Sequence, residues 1–408
     1  GASYTNGDTI AVALDLDNGT VQFYKNNTGQ GTISLNSISG VTRWQPQVGS
    51  GGTANNSFFS VNFGQRGFTY TPPTGFVALS GTTVTVEDQN LESPDWVWIK
   101  NRDATDSNQL YDTVRGVQKV LKSDPDTNPP QADALNGLVN FNKNGFTVGN
   151  DVTVNTDGED YVAWCWKAGG TAGSNTNGSI TSTVSANTEA GFSIVDWTYS
   201  TTSNTVGHGL SSAPEMIIAK GYDSSSNLEW IAWHEGVGTM ANRKYIKFNE
   251  TGATATGSNA IWGDSDPTAT VFGQGQGLAV DGDECIAYCF HGVEGYSKFG
   301  TYVGNESATA GPFIYTGFRP AWVMFKNISA SGNWVIHDNT RTPDNSFTTA
   351  SGLFADLSNA ESTDATFRGD FFSNGFTVAS GSNSYNNSGN TYIYMAFAEQ
   401  PFKYANAR

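Results

Sequence analysis

One pattern is written three times along the chain: a proline, a short apolar stretch, a lysine. The copies are Pro94-Asp95-Trp96-Val97-Trp98-Ile99-Lys100, Pro214-Glu215-Met216-Ile217-Ile218-Ala219-Lys220 and Pro320-Ala321-Trp322-Val323-Met324-Phe325-Lys326. Each is followed, after a long intervening stretch, by a second apolar run: Tyr161 to Trp166, Cys285 to Phe290 and Tyr392 to Phe397. Internal repetition on this scale is the signature of an array of like units. Arrays of small β domains usually hold, reach or stick rather than catalyse.

At 408 residues there is room for two to four domains, each able to bury a core of its own. The 47 glycines, 12% aromatic residues and only 14% charged residues lean toward β structure, because a helical protein would be richer in Leu, Glu, Lys and Ala. A net charge of −17 argues against binding nucleic acid or an anionic membrane, both of which reward clusters of Lys and Arg. No apolar run reaches membrane-spanning length, and the opening GASYTNGDTI has neither the basic start nor the apolar centre of a signal peptide.

Three cysteines make no disulfide framework. Cys165 and Cys289 fall at the same place in the second run, where the third copy has Ala396, so the position is expected to be small and buried. Cys285 and Cys289, four apart on one strand, would lie roughly 13 Å from each other, too far to bond.

The first eighty residues differ from the rest. Ile10 to Leu16 and Thr20 to Tyr24 alternate as strands about Asp17-Asn18-Gly19, with a second turn at Lys25-Asn26-Asn27. Further on, Phe58 to Phe63 leads into Gly64 to Phe68 and Tyr70 to Phe76. The stretches GDTIAVALDLDNGTVQFYKNN and VNFGQRGFTYTPPTGFVAL resemble the C-terminal half of a SPRY-type, concanavalin-like sandwich of the kind found in tail proteins of marine bacteriophages. The resemblance implies opening strands upstream of Gly1, whereas the C-terminal Phe402 to Arg408 reads as a native end. The remainder, from PDWVWIKNRDATDSNQLYDTVRG through VGHGLSSAPEMIIAK to YIYMAFAEQPFKYANAR, resembles the β repeat that follows such domains in the same phage proteins.

The expected fold is therefore all-β, a series of tandem β-sandwich (jelly-roll or concanavalin-like) domains of which the first is incomplete. Its expected parts are residues 1–82, half of a SPRY-like sandwich, and three repeat units at 83–170, 171–292 and 293–408. Gly169 to Gly178 reads as a flexible Gly/Ser/Asn linker. Asn140 to Val148, turning at Asn144-Gly145, reads as a hairpin with a counterpart at Phe371 to Val378, turning at Asn374-Gly375; the middle unit has only Phe272 to Val280 there. Val114 to Leu121 and Ala350 to Leu357 are the two stretches that can make a turn or two of helix.

Catalytic signals are sparse. His234 and His337 each follow a Trp-containing run and read as occupying similar places at a strand end. His208 lies in a glycine-rich turn and His291 ends a strand, so all four histidines read first as structural. No Gly-x-Ser-x-Gly elbow is present. The acidic pairs Asp15 and Asp17, Asp264 and Asp266, and Asp281 and Asp283 with Glu284 sit beside Gly or Asn and read as turn residues before they read as glycosidase pairs. Asp281 to Glu284 and Asp151 to Asp160 offer oxygen ligands for Ca²⁺ without EF-hand spacing, so no metal and no cofactor is expected. The cluster Gly273 to Gly277 lacks the Lys-Ser/Thr of a phosphate-binding loop.

Aromatic residues carry the functional expectation. Eleven Trp and sixteen Tyr exceed what small cores need, and Tyr222, Trp262 and Tyr385 sit among polar turn residues where a ring can stack on a sugar. With the resemblance, they imply a non-catalytic component of a bacteriophage virion. It would be a tail fibre or similar appendage outside the host cell, a homotrimer by analogy with fibre proteins, contacting other virion proteins and binding host-surface glycan. A structural capsid fibre or connector, and a polysaccharide depolymerase using Asp264 or Asp283, are the alternatives.

Overall fold

The computed structural model describes most of residues 93–399, and before them residues 5, 7–15, 19–35, 68–73 and 76. Within 93–399, residues 126–135, 144, 224–227, 243, 258–260, 342–351 and 363–367 lie outside the description. So do the expected turn residues Asp17, Asn18 and Asn144, the run Phe58 to Phe63, and Phe402 to Arg408. The chain forms two compact units, Gly1–Leu91 and Glu92–Arg408. It is an all-β protein of several antiparallel sheets. Among the described residues no helix is long and apolar enough to cross a membrane.

In the first unit, β1 (Ile10–Asp15), β2 (Thr20–Lys25) and β3 (Thr28–Ser34) form a three-stranded sheet in sequence order. Asn26 and Asn27, at φ 47° and 65°, make the tight β2–β3 turn, a conformation Asn tolerates better than most residues. Alternation along the strands places Ile10, Val12, Leu14, Phe23 and Ile33 on one exposed face.

The second unit holds three larger sheets built around the three Pro-led runs. The first has the order β6-β5-β4-β9, from β4 (Trp96–Asn101), β5 (Gln109–Asp112), β6 (Leu121–Lys122) and β9 (Tyr161–Trp166). Beside it lie a hairpin of β7 (Leu138–Asn142) and β8 (Gly145–Val148) and one helical turn, α1 (Val152–Asn155). The second sheet runs β10-β11-β12-β19-β14-β15-β16-β17. Its strands are β10 (Gly173–Asn175), β11 (Ser182–Asn187), β12 (Phe192–Thr198), β14 (Met216–Gly221), β15 (Ile231–His234), β16 (Lys244–Lys247), β17 (Ala255–Thr256) and β19 (Glu284–Phe290). A separate pair, β13 (Asn204–Gly207) and β18 (Val271–Gln274), accompanies it. The third sheet runs β20-β27-β22-β23-β24, from β20 (Ser297–Val303), β22 (Pro320–Asn327), β23 (Val335–Asp338), β24 (Leu353–Phe354) and β27 (Thr391–Ala398). Its companion is the three-stranded sheet β21-β26-β25, from β21 (Phe313–Tyr315), β25 (Arg368–Phe372) and β26 (Gly375–Ala379). In each large sheet the Pro-led strand lies between the strand that follows it and the second apolar run.

The Pro-led strands are apolar from Trp96 to Ile99, from Met216 to Ala219 and from Trp322 to Phe325 because both of their faces are buried. In β22, Trp322 and Met324 enter one core while Val323 and Phe325 enter another. Trp96 and Trp98 against Val97 and Ile99, and Met216 and Ile218 against Ile217 and Ala219, divide in the same way. The outward-facing cores belong to individual sheets and their small companions. The inward-facing core is common to all three sheets and contains seven tryptophans: Trp96, Trp98, Trp164, Trp166, Trp230, Trp322 and Trp334. The expectation that each unit buries a core of its own thus describes only the outer faces.

Polar contacts link the three sheets in a closed circuit. From second to first, Trp230 Nε1 donates to Lys122 O (2.7 Å) and Tyr288 Oη to Asp112 Oδ2 (2.9 Å). From third to second, Trp334 Nε1 donates to Lys247 O (3.0 Å) and Lys326 Nζ to Thr251 O (2.8 Å). From first to third, Asn108 Nδ2 donates to Phe354 O (3.0 Å), Trp164 Nε1 to Asp338 Oδ2 (3.1 Å) and Arg102 Nε to Glu361 Oε2 (2.5 Å). The lysines closing the Pro-led runs are buried and hold loop carbonyls. Lys100 donates to Asn101 O and Ala104 O, Lys220 to Leu228 O and Lys326 to Gly332 O. Burial lowers Lys100 and Lys326 to about 8.

Four expectations are corrected. Gly169 to Gly178 is not a flexible linker, since β10 pairs there with β11. Gly169 and Gly178 instead admit close backbone: a Cβ on either would lie 2.4 Å from Ala186 O or 2.3 Å from Thr205 O. Val114 to Leu121 ends in β6, and the described part of 350–357 contains β24, so neither is helical. Cys165 is exposed while Cys289 is buried, because β9 is an edge strand among the described residues whereas β19 is flanked on both sides.

Lastly, His234 and His337 do not occupy matching places on their strands. His234 pairs with Met216, the place that Asp112 takes opposite Trp96 and Asp338 opposite Trp322. His337 pairs with Val323, one residue out of step, so the two rings point to opposite faces of their sheets.

Candidate functional site

All ten described tryptophans are buried, Trp44 lying outside the description, so the expected surplus of aromatic side chains is consumed by the cores. Among the described residues of Glu92–Arg408, the exposed aromatic rings are Phe313, Tyr315 and Phe372, at 49%, 59% and 43% exposure. All three sit on one small sheet, β21-β26-β25, and on its outward face.

Alternation puts them there. In β21, Ile314 points inward to the core it shares with Phe376 and Tyr394, which turns Phe313 and Tyr315 outward. In β25, Phe371 is buried and Phe372 is exposed. Across the sheet, Tyr315 and Phe372 both lie opposite Gly375, which stands between them. Two strand spacings, about 9.5 Å, therefore separate the outer backbones. Gly375 has no side chain to fill the gap, and the Phe313 ring occupies it: a Cβ at Gly375 would lie 2.8 Å from Phe313 Cζ and 2.2 Å from Ile314 O. Phe313 and Phe372 meet edge to face, 5.8 Å between centroids. The result is a strip of three rings bordered by Thr377, Asp370 and Arg368.

A cleft of about 500 Å³ adjoins this strip. Lys298 to Val303 of β20 form one wall and Pro312 to Tyr315 the other, with Tyr394 at the floor. Both walls are edge strands among the described residues, so unpaired strand edges border the opening. Gly300 gives the Tyr394 ring its place, since a Cβ there would lie 2.9 Å from Tyr394 Oη. Burial, aided by the charges of Glu235 and Glu215, pushes the Tyr394 phenol up to about 12, so it stays a neutral hydrogen-bonding group. Lys298 spans the two walls, donating to Tyr315 O (3.0 Å) with Nζ 5.0 Å from the Tyr315 ring centroid. It is the one charged side chain among the residues lining the cleft, and no carboxylate is among them.

The three aromatic residues singled out from sequence lie elsewhere. Trp262 is buried with Phe272 and Leu278, and Tyr385 is buried against Phe325 and His337, so neither presents a ring face to solvent. Tyr222 is half-buried; its hydroxyl donates to Asp196 (2.7 Å) and its ring lies under Arg115. The polar neighbours of all three mark turns folded back onto a core. Phe313 and Tyr315 were missed because Phe-Ile-Tyr is apolar on both faces, and nothing in it says which face is covered.

The other candidates resolve into structural braces, some within a turn and some between distant parts of the chain. His234 donates from Nε2 to Tyr394 O and accepts at Nδ1 from Gly236 N, while His208 donates to Thr268 O and accepts from Leu210 N. His291 Nδ1 lies 3.0 Å from Gly292 O. Asp266 accepts from Met240 N, Asp281 from Thr201 N and Asp283 from Val280 N. Asp151 caps α1. Among the described residues, no group of three or more His, Cys, Asp or Glu is placed to hold a metal ion.

No curated protein and no solved structure matches this chain. One family profile, described as a domain of unknown function, matches residues 76–401, which takes in all three Pro-led strands and the aromatic strip. The chain belongs to the DUF7483 family.

Proposed function

We propose that this chain is a carbohydrate-binding component of a bacteriophage virion, carried in a tail fibre or similar appendage, that engages host-surface glycan without making or breaking a bond. The observation that supports the binding part is the strip of Phe313, Tyr315 and Phe372 beside the Lys298 cleft. Exposed rings gathered on one small sheet mark an interaction surface, since scattered single exposures need no explanation but a cluster does. Rings offer flat apolar faces to the C–H faces of sugars, and the open strand edges offer hydrogen bonds to hydroxyls. The resemblance of the sequence to phage tail proteins supports the virion part. Presentation in several copies, as in a homotrimeric appendage, would sum shallow contacts into useful avidity.

A glycan array run beside a product assay on the same polysaccharides tests this reading. Binding without turnover is expected, and Tyr315→Ala or Phe372→Ala should each weaken it about tenfold with no loss of folding. Turnover would instead favour the depolymerase; binding indifferent to both substitutions would remove the aromatic strip from consideration.

A connector role is a second reading, and the apolar face of Ile10, Val12, Leu14, Phe23 and Ile33 favours it. Native mass measurement decides how many chains assemble through such faces.

A further inference from the structure

We infer that the glycan taken by the β20–β21 cleft is acidic, a polymer of carboxylate-bearing sugars, with Lys298 as the residue that selects it. The inference rests on the carbohydrate-binding reading above and sharpens it. In a chain of net charge −17, the charged side chain lining this cleft is a cation. Its Nζ gives one hydrogen bond to Tyr315 O and lies 5.0 Å from the Tyr315 ring centroid, which fixes it at the junction of cleft and strip. An ammonium has three donors, so two remain for a ligand. A sugar stacked on Tyr315 would bring its ring substituents beside Nζ, where a carboxylate gains a charge-assisted hydrogen bond that a hydroxyl or methyl ester does not. No carboxylate is in the lining itself; Glu235 and Glu215 act on Tyr394 from outside it and Asp370 borders the strip, so the local attraction for an anion comes from Lys298 alone among the lining residues. Neutral Tyr394 at the floor can donate to a ligand oxygen without adding charge.

The whole-protein field works the other way. At long range, −17 repels a polyanion, and salt screens that repulsion over roughly 10 Å at 0.1 M. The local and global terms therefore have opposite salt dependences, which lets them be separated.

The test uses the full chain and uronate tetramers (galacturonate, glucuronate and mannuronate), each paired with its methyl ester, titrated by calorimetry. At least one tetramer should bind about fivefold more tightly as the free acid than as the ester, the size of a charge contact at a solvent-exposed site. Lys298→Met should remove that preference and Lys298→Arg retain it. In Lys298→Met, affinity for the acid should rise with added salt, because only the repulsion is left. Equal affinity for acid and ester, a preference unchanged in Lys298→Met, or no binding of any tetramer overturns the assignment of an acidic ligand. If Tyr315-dependent binding to neutral glycans persists in those cases, the aromatic strip stands as a sugar site. Absence of any Tyr315-dependent binding ends both readings.

Discussion

Trp96→Ala should destabilise the whole of Glu92–Arg408, by about 3 to 5 kcal/mol, the range for truncating a large buried aromatic side chain. Trp96 is 1% exposed. Its ring lies 4.3 Å from Tyr288, 4.6 Å from Trp166 and 5.8 Å from Phe192, so two of its closest partners come from the second sheet. Removing it leaves a hole at the meeting point of separate sheets rather than inside one of them. Denaturant unfolding followed by tryptophan fluorescence and by circular dichroism should give coincident transitions, both displaced to lower denaturant. A variant that loses the signal of one sheet while the rest unfolds where it did before would show the three sheets to be energetically independent. Tyr315→Ala, on the outer surface, should stay within about 0.5 kcal/mol of the parent.

The second large effect is with pH. Burial holds His337 down to about 3, with Arg341 adding to it, and His234 down to about 4, against 6.5 for a free ring. Above pH 6.5 these rings are neutral whether the chain is folded or not. As pH falls through 6.5 the unfolded chain takes up protons that the folded chain refuses, and stability is lost until about pH 4 to 3. At roughly 1.4 kcal/mol per unit, each ring accounts for roughly 3 to 5 kcal/mol over that window.

Two carboxyls oppose this. Burial raises Asp356 to about 7 and Asp196 to about 6, so the folded chain binds their protons first and gains stability as pH falls toward 3.8. The parent's own profile is a partial cancellation, and the informative quantity is a difference. His337→Gln should be less stable than the parent at pH 7.5, where the hydrogen bond between His337 Nε2 and Tyr385 Oη is weakened. By pH 4 that gap should close or reverse, because Gln has no proton to refuse. Unfolding free energies at pH 7.5, 6, 5 and 4 check this, and parallel curves for parent and variant would show that His337 does not titrate as its burial requires.

What the sequence made legible follows from what periodicity can encode. An unbroken apolar run such as Trp322 to Phe325 announces a strand covered on both faces, and the three runs are such strands. It does not name the partner on each face, so the common core of seven tryptophans was invisible. The same limit hid the binding strip, because Phe313 and Tyr315 differ from buried rings only in what fails to cover them. Glycine misled in another way: Gly169 and Gly178 read as freedom of the chain but serve to let backbone pass close. One-residue offsets were equally opaque, as with His234 and His337, whose matching sequence contexts end on opposite faces.

The closed circuit of sheets bears on how the chain is made in a cell. Trp164 meets Asp338 across 174 residues and Arg102 meets Glu361 across 259. At a synthesis rate of about 5 to 20 residues per second, Trp164 waits roughly 10 to 35 seconds for its partner to leave the ribosome. During that interval the inward faces of the first two sheets have no third sheet to cover them. A nascent chain of this kind leaves a patch of tryptophan uncovered until the third sheet is made. Slower synthesis of the stretch that carries the third sheet lengthens that exposure.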